Sequence, residues 1–196
     1  GLAVRQAVNA CPLLTCALLA ACLGGGCAVR SSTSFASPRR TFDTRVTLRQ
    51  RPVVVHMSSD ATRRPDELVL YLTGDAGWRG KDKDVYTRLQ QWGYAVAGVS
   101  APDYLKSLPG EAGTTTPSRL ADDFVHITDV ARHALALPGD LPVVLVGVSR
   151  GADLAVVAAG QSGLQPSLGG VVAIGLTREE EYVHRRRRAT EALELY

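Results

Sequence analysis

Along residues 41–49 apolar and polar side chains alternate, Phe42, Val46 and Leu48 against Asp43, Arg45 and Thr47, and residues 52–57 form a largely β-branched run. Period two followed by β-branched residues predicts two early strands, joined as a hairpin across Gln50-Arg51. Three later apolar runs, 68–73, 94–99 and 143–148, are short and uninterrupted, and a fourth, 171–176, follows Gly169-Gly170. Strands without alternation are expected to be buried on both faces, as in a parallel sheet covered by helices. Residues 83–92 carry Val85, Tyr86 and Leu89 at helical spacing and stop at Gly93. Residues 118–137 align Leu120, Phe124, Ile127, Ala131 and Leu135 before Pro138-Gly139. Residues 152–159 are small and apolar. Thr177-x-x-Glu180 reads as a capping box opening a last helix, with Glu181 four residues before Arg185. The order β-β-β-α-β-α-β-α-β-α predicts an α/β fold, a three-layer α/β/α sandwich with a mostly parallel sheet. No internal repeat is evident.

Composition fits this picture. The 196 residues are 45% hydrophobic and 21% charged, with 22 basic against 19 acidic side chains. Such values suit one globular domain and exclude a disordered tail, a coiled coil or a multi-span membrane protein. A net charge of +3 gives no reason to expect a nucleic-acid partner. The cysteines change the picture more: Cys11, Cys16, Cys22 and Cys27 all precede the predicted fold, which excludes a disulfide framework or a cysteine zinc site within it. No metal and no cofactor is expected. The stretch between Arg5 and Arg30 is uncharged, with an apolar centre at 11–22, and reads as an export signal. Leu19-Ala20-Ala21-Cys22 resembles a bacterial lipobox, in which small residues fit the peptidase and the Cys22 thiol takes the lipid; Cys27, behind three glycines, is the poorer second candidate. Alternatives are a plain signal, an uncleaved anchor or a buried N-terminal helix, although Pro12 and Gly24-Gly25-Gly26 weaken a spanning helix. The expected organisation is a lipoprotein signal at 1–22, a flexible tether at 23–40 and a partial α/β domain at 41–196. The leader begins at Gly1 without an initiator methionine, which predicts a chain that is a fragment at its N-terminus.

The candidate chemistry sits at one turn. Gly147-Val148-Ser149-Arg150-Gly151 fits G-x-S-x-G, with an apolar strand entering and a small-residue helix leaving. That is the context of a nucleophile elbow, where the serine is strained and projects above the sheet edge while the glycines let helix and strand backbones touch. A Gly-rich βα turn that merely packs well is the plainer reading. A second turn, Leu72-Thr73-Gly74-Asp75-Ala76-Gly77-Trp78, follows the strand at 68–73. In such arrangements this loop supplies one oxyanion-hole amide and the residue after the nucleophile supplies the other. The candidates are the backbone N–H groups of Asp75 (or Ala76) and of Arg150. A phosphate loop is rejected, because five residues rather than four separate Gly74 from Gly80 and Asp82 stands where Ser or Thr is needed. Trp78 is a candidate for substrate binding at the pocket mouth, with core packing as its alternative.

Tyr71-Leu72-Thr73-Gly74-Asp75-Ala76-Gly77-Trp78 together with Gly147-Val148-Ser149-Arg150-Gly151-Ala152-Asp153 resembles the bacterial virulence protein VirJ/AcvB family of α/β-hydrolases, over roughly residues 68–176. It departs at Ala76, where the family usually has glycine, and at Arg150, where an aromatic residue is common; neither change removes a backbone amide. The resemblance implies an α/β-hydrolase fold, export to the bacterial envelope or periplasm, possible secretion-system partners and, in some members, hydrolysis of an aminoacyl phospholipid ester. The fold's triad continues with an acid and then a histidine after the serine. Too little chain follows Leu176 for two further strands and their helices, so the C-terminal strands, the acid and the base are expected to be missing. His184 lies in the predicted last helix and is read as solvated. His126 and His133 lie on the helix at 118–137, and His56 on an early strand. Glu179, Glu180 and Glu181 are read as capping charge, Asp153 as a helix-dipole partner, and Arg185 to Arg188 as a solvated face rather than a lipid-headgroup site.

The leading expectation is an exported, lipid-anchored serine hydrolase acting on an ester, with Ser149 as nucleophile. A non-catalytic envelope binding protein that keeps the hydrolase fold is the alternative, and a cytoplasmic hydrolase the third.

Overall fold

The computed structural model describes residues 39–49, 51–108, 116–176, 179–181 and 192–194. The predicted leader with Cys22, the tether up to residue 38, and His184 with Arg185 to Arg188 lie outside the described residues, and the last two residues assigned to the tether, Arg39 and Arg40, are already strand. A six-stranded sheet runs in the order β1-β2-β4-β3-β5-β6. Its strands are β1 (Arg39–Leu48), β2 (Arg51–Asp60), β3 (Leu68–Leu72), β4 (Ala95–Val99), β5 (Val143–Val148) and β6 (Leu168–Ile174). β1 and β2 form the expected hairpin, Leu48 opposite Arg51, and Arg49 turns with φ 47°. β2 is antiparallel to both β1 and β4, whereas β4, β3, β5 and β6 pair in parallel. Five strands therefore point one way and β2 alone opposes them.

Alternate residues of the central strands serve two different cores, which is why their sequence shows no alternation of polarity. Leu68, Leu70 and Leu72 of β3, Ala97 and Val99 of β4 and Leu145 of β5 join the core beneath α3 (Pro117–Ala134) and α4 (Arg150–Ala159). Val69, Tyr71, Val96 and Val146 face the other way, against Tyr86 and Leu89 of α1 (Lys81–Gln91). Each fully buried Leu or Val contributes about 1.5–3 kcal/mol by leaving water, so a strand buried on both faces gains from every residue. The stripe expected on the long helix is the one it buries: Leu120, Phe124, Ile127 and Ala131 are fully enclosed. Thr116 caps that helix by accepting from the Arg119 amide, and Pro117 opens it.

The hairpin is tied down by charge. The Arg49 guanidinium donates to the Arg119 carbonyl and pairs with Asp123 at 3.0 Å, and Asp123 also accepts from the Tyr104 hydroxyl at 2.8 Å. Burial raises the Asp123 carboxyl above the usual carboxylate range, against the lowering effect of that hydroxyl and of Arg49.

Three expectations need correction. Residues 101–107 were not expected to be helical, yet they form α2 (Ala101–Ser107), where the Ser100 hydroxyl accepts from the Asp103 amide. Ser100 ahead of Pro102 and Asp103 was a legible start signal. The predicted helix from the capping box at Thr177 is replaced by β7 (Glu179–Glu181), which pairs antiparallel with β8 (Ala192–Glu194). A capping box is a local preference, and here pairing with a distant segment satisfies the backbone groups instead. Finally β6, expected to be buried on both faces, leaves Val172 47% and Ile174 50% exposed. Its one strand neighbour among the described residues is β5.

Candidate active site

Ser149 stands between the end of β5 and the first residue of α4 with φ 49° and ψ −123°, a conformation that costs a residue with a Cβ. The surroundings impose it. The Ser149 amide donates to the Ile174 carbonyl at 2.7 Å, and its carbonyl accepts from the amides of Ala152 and Asp153. The flanking glycines are required by close approach: a Cβ on Gly147 would lie 2.2 Å from the Gly151 carbonyl oxygen, and one on Gly151 would lie 2.3 Å from that of Leu72. Helix α4 thus rests directly on β5 and β3, and the serine is carried out past the sheet edge. Arg150 is the first residue of α4, at the positive end of the helix dipole.

The loop between β3 and α1 lies against this elbow. A Cβ on Gly74 would be 3.6 Å from the Ser149 Cβ and 3.5 Å from the Val148 carbonyl, so a side chain at 74 would just touch the elbow. Gly77 donates to the Gly74 carbonyl at 3.0 Å, closing a turn with Asp75 and Ala76 at its centre. Gly77 has φ 70° and sits where a Cβ would press on Ser100 and Pro102. Thr73 fastens the loop to α2, its hydroxyl accepting from the Ala101 amide and donating to the Gly74 carbonyl. Among the described residues, neither the Asp75 nor the Ala76 amide donates to a backbone carbonyl.

The structure brings together the residues singled out as oxyanion candidates. Arg150 Nε donates to Asp75 Oδ1 at 2.7 Å, so a side-chain ion pair bridges the loop and the elbow. Reading these two residues only for their amides missed that pair. Asp82 was missed as well, having been weighed only against a phosphate loop. The residue is 8% exposed, and its carboxylate accepts from the Gly74 amide at 2.9 Å and the Tyr71 hydroxyl at 2.8 Å. Burial, and then the Asp82 hydrogen bond and charge, push the Tyr71 hydroxyl far up, which keeps it a donor at neutral pH. The spacing G-D-x-G-W-x-x-x-D was the available signal.

Trp78 is engaged elsewhere. Its half-buried ring stacks on His56 at 3.8 Å and meets Tyr86 edge-on at 4.8 Å, and its tip fills the space left by Gly98. Packing accounts for this placement of the ring. His56 in turn pairs with Asp43 at 2.7 Å, while His126 and His133 lie exposed on α3. No described histidine hydrogen-bonds the Ser149 hydroxyl. Asp153 is buried in the first turn of α4. Among the described residues no cluster of His, Cys, Asp or Glu could hold a metal ion, and no helix is long and apolar enough to cross a membrane.

A mixed sheet with one reversed strand, helices on both faces and a strained serine between a buried strand and a glycine-spaced helix define the α/β-hydrolase fold. Solved structures of that class match it: esterase Est22 (TM-score 0.56, 17% identity, covering 74% of this chain and 47% of that one), a dienelactone hydrolase from Anabaena variabilis (0.53, 20%, 69% and 62%), and brefeldin A esterase, a bacterial homologue of human hormone-sensitive lipase (0.52, 17%, 71% and 40%). The chain thus spans less than two thirds of the length of each. The family described as bacterial virulence protein (VirJ) matches residues 66–182, more than half of the sequence, and the chain belongs to that family. No curated protein sequence matches it.

Proposed function

We propose that this chain carries the nucleophile and the oxyanion loop of an ester-cleaving serine hydrolase. The observation that supports this best is the φ 49°, ψ −123° conformation of Ser149, held between two glycines that admit no Cβ. Strain of this kind persists only where neighbouring contacts enforce it, and it serves to present a side chain beyond the sheet edge. Ser149 Oγ attacks the ester carbonyl as a base takes its proton. The carbonyl oxygen becomes an oxyanion facing the Arg150 amide and that of Asp75 or Ala76. Collapse expels the alcohol, which takes back the proton held by that base, and leaves an acyl-serine, which water then hydrolyses. Asp75 and Arg150 act through their backbones in this reading, while their ion pair keeps loop and elbow in register.

The same proposal takes the protein to be exported and lipid-anchored through Cys22, which would hold the site beside a bilayer and suit a phospholipid ester as substrate. Two measurements test it on the natural-length protein. A fluorophosphonate probe should label Ser149 stoichiometrically and fail on Ser149→Ala, and p-nitrophenyl butyrate hydrolysis should disappear with that variant. Full biological activity in Ser149→Ala cells would overturn the enzyme and favour a binding role. Palmitate-analogue labelling lost in Cys22→Ser would support the anchor, and its absence from the parent protein would refute it.

A further inference from the structure

We infer that Asp82 is the positioning residue of the oxyanion loop, an inference that rests on the serine-hydrolase reading above. Asp82 sits in the first turn of α1, where an acid ordinarily serves the helix itself, yet no side chain caps this helix N-terminus. Its carboxylate reaches out of the helix instead. Oδ1 accepts at once from the Tyr71 hydroxyl and from the Gly74 amide. Tyr71 is fully enclosed in the middle of the sheet, so its hydroxyl is a fixed point from which the carboxylate is held. The carboxylate in turn fixes the first residue of the turn that faces Ser149.

The consequence lies in which amides remain. The Gly74 amide is taken by Asp82, and the Gly74 carbonyl is taken by the Gly77 amide. A turn closed in this way uses the carbonyl of its first residue and the amide of its last, and leaves the amides of its two central residues outside that hydrogen bond. Those central residues are Asp75 and Ala76. Without Asp82 the Gly74 amide loses its buried acceptor, and the turn is held only through its Gly74 carbonyl, by the Thr73 hydroxyl and the Gly77 amide, so its two central amides are less firmly placed. Arg150 grips the same turn from the elbow side through Asp75. Asp82 holds it from the strand side, and the loop is clamped between the two.

A residue that acts through another is exposed by how kcat and KM divide. With p-nitrophenyl butyrate and the natural-length protein, Asp82→Ala should lower kcat about 10- to 100-fold while KM stays within about threefold, since misplaced oxyanion donors cost the transition state and not the bound ester. Asp82→Glu keeps charge and acceptor but advances the oxygen by one methylene, and should lower kcat in the same way. Asp82→Asn keeps an acceptor oxygen in place and should retain most of kcat. Ile127→Ala, which opens a cavity under α3, lowers Tm without moving the loop and should leave kcat unchanged. A folded Asp82→Ala or Asp82→Glu with kcat within about twofold of the parent overturns the inference, and Asp82→Glu decides alone where Asp82→Ala does not fold. Loss in Ile127→Ala equal to that in the Asp82 variants overturns it too. If Ser149→Ala is inert while the Asp82 variants keep their rate, only this inference falls; if Ser149→Ala still hydrolyses the ester, the serine-hydrolase reading falls first.

Discussion

Replacing Ser149 with glycine should make the protein more stable than replacing it with alanine. Both substitutions remove the hydroxyl, so they differ only in the Cβ at a residue with φ 49° and ψ −123°. At an ordinary position alanine is the better choice, because glycine loses about 0.5–1 kcal/mol more backbone entropy on folding. At this position a Cβ is strained by about 1–3 kcal/mol, and alanine keeps that strain while glycine relieves it. The difference leaves Ser149→Gly ahead by about 0–2.5 kcal/mol, with about 1 kcal/mol at the centre of the two ranges. The surrounding bonds argue against relaxation in the alanine variant, because the Ile174 carbonyl and the amides of Ala152 and Asp153 hold the serine backbone on both sides. Urea unfolding reads the effect directly: at an m-value of about 2 kcal/mol/M, 1 kcal/mol moves the midpoint by about 0.5 M. Equal m-values confirm that the unfolded states match. If Ser149→Ala is the more stable of the two by the usual margin, the backbone there is unstrained and the argument from conformation to nucleophile fails.

Gly151→Ala drives a Cβ to within 2.3 Å of the Leu72 carbonyl and 2.6 Å of that of Thr73, neither of which can move without displacing β3. It should cost about 3 kcal/mol or more, whereas Gly139→Ala, with open space around it, should be neutral or slightly stabilising by the same urea measurement. Asp123 gives a pH signature. Burial raises its folded-state value above that of the unfolded chain, so its contribution is fully present below the unfolded value and is lost as pH rises through the folded one. Asp123→Asn should therefore flatten the decline of Tm over that acid window, and an unchanged decline would show that Asp123 does not cause it.

Much of the fold was legible because of where the central strands lie. β3, β4 and β5 are packed on both faces, so nearly every residue must be apolar and an uninterrupted run announces them. Ser149 was legible for a related reason: the sharp turn between strand and helix admits glycine alone at 147 and 151, and that demand is written into adjacent positions. The end of the described chain was misread because a capping box speaks only for its own few residues, while Glu179–Glu181 found a strand partner beyond them. Trp78 was open between pocket and core, and its stacking on His56 depends on a strand far from it in sequence.

The sequence by itself determined the six strands of the main sheet, the helices with periodic apolar faces and the serine with its two glycines, since each is a local demand of backbone geometry or burial. Tertiary structure alone decided what surrounds that serine. The Asp75–Arg150 ion pair joins residues 75 positions apart, and Asp82 bridges a helix, a turn and a strand. No spacing rule connects such residues, because their hydrogen bonds are set by how the sheet brings separate turns to one edge.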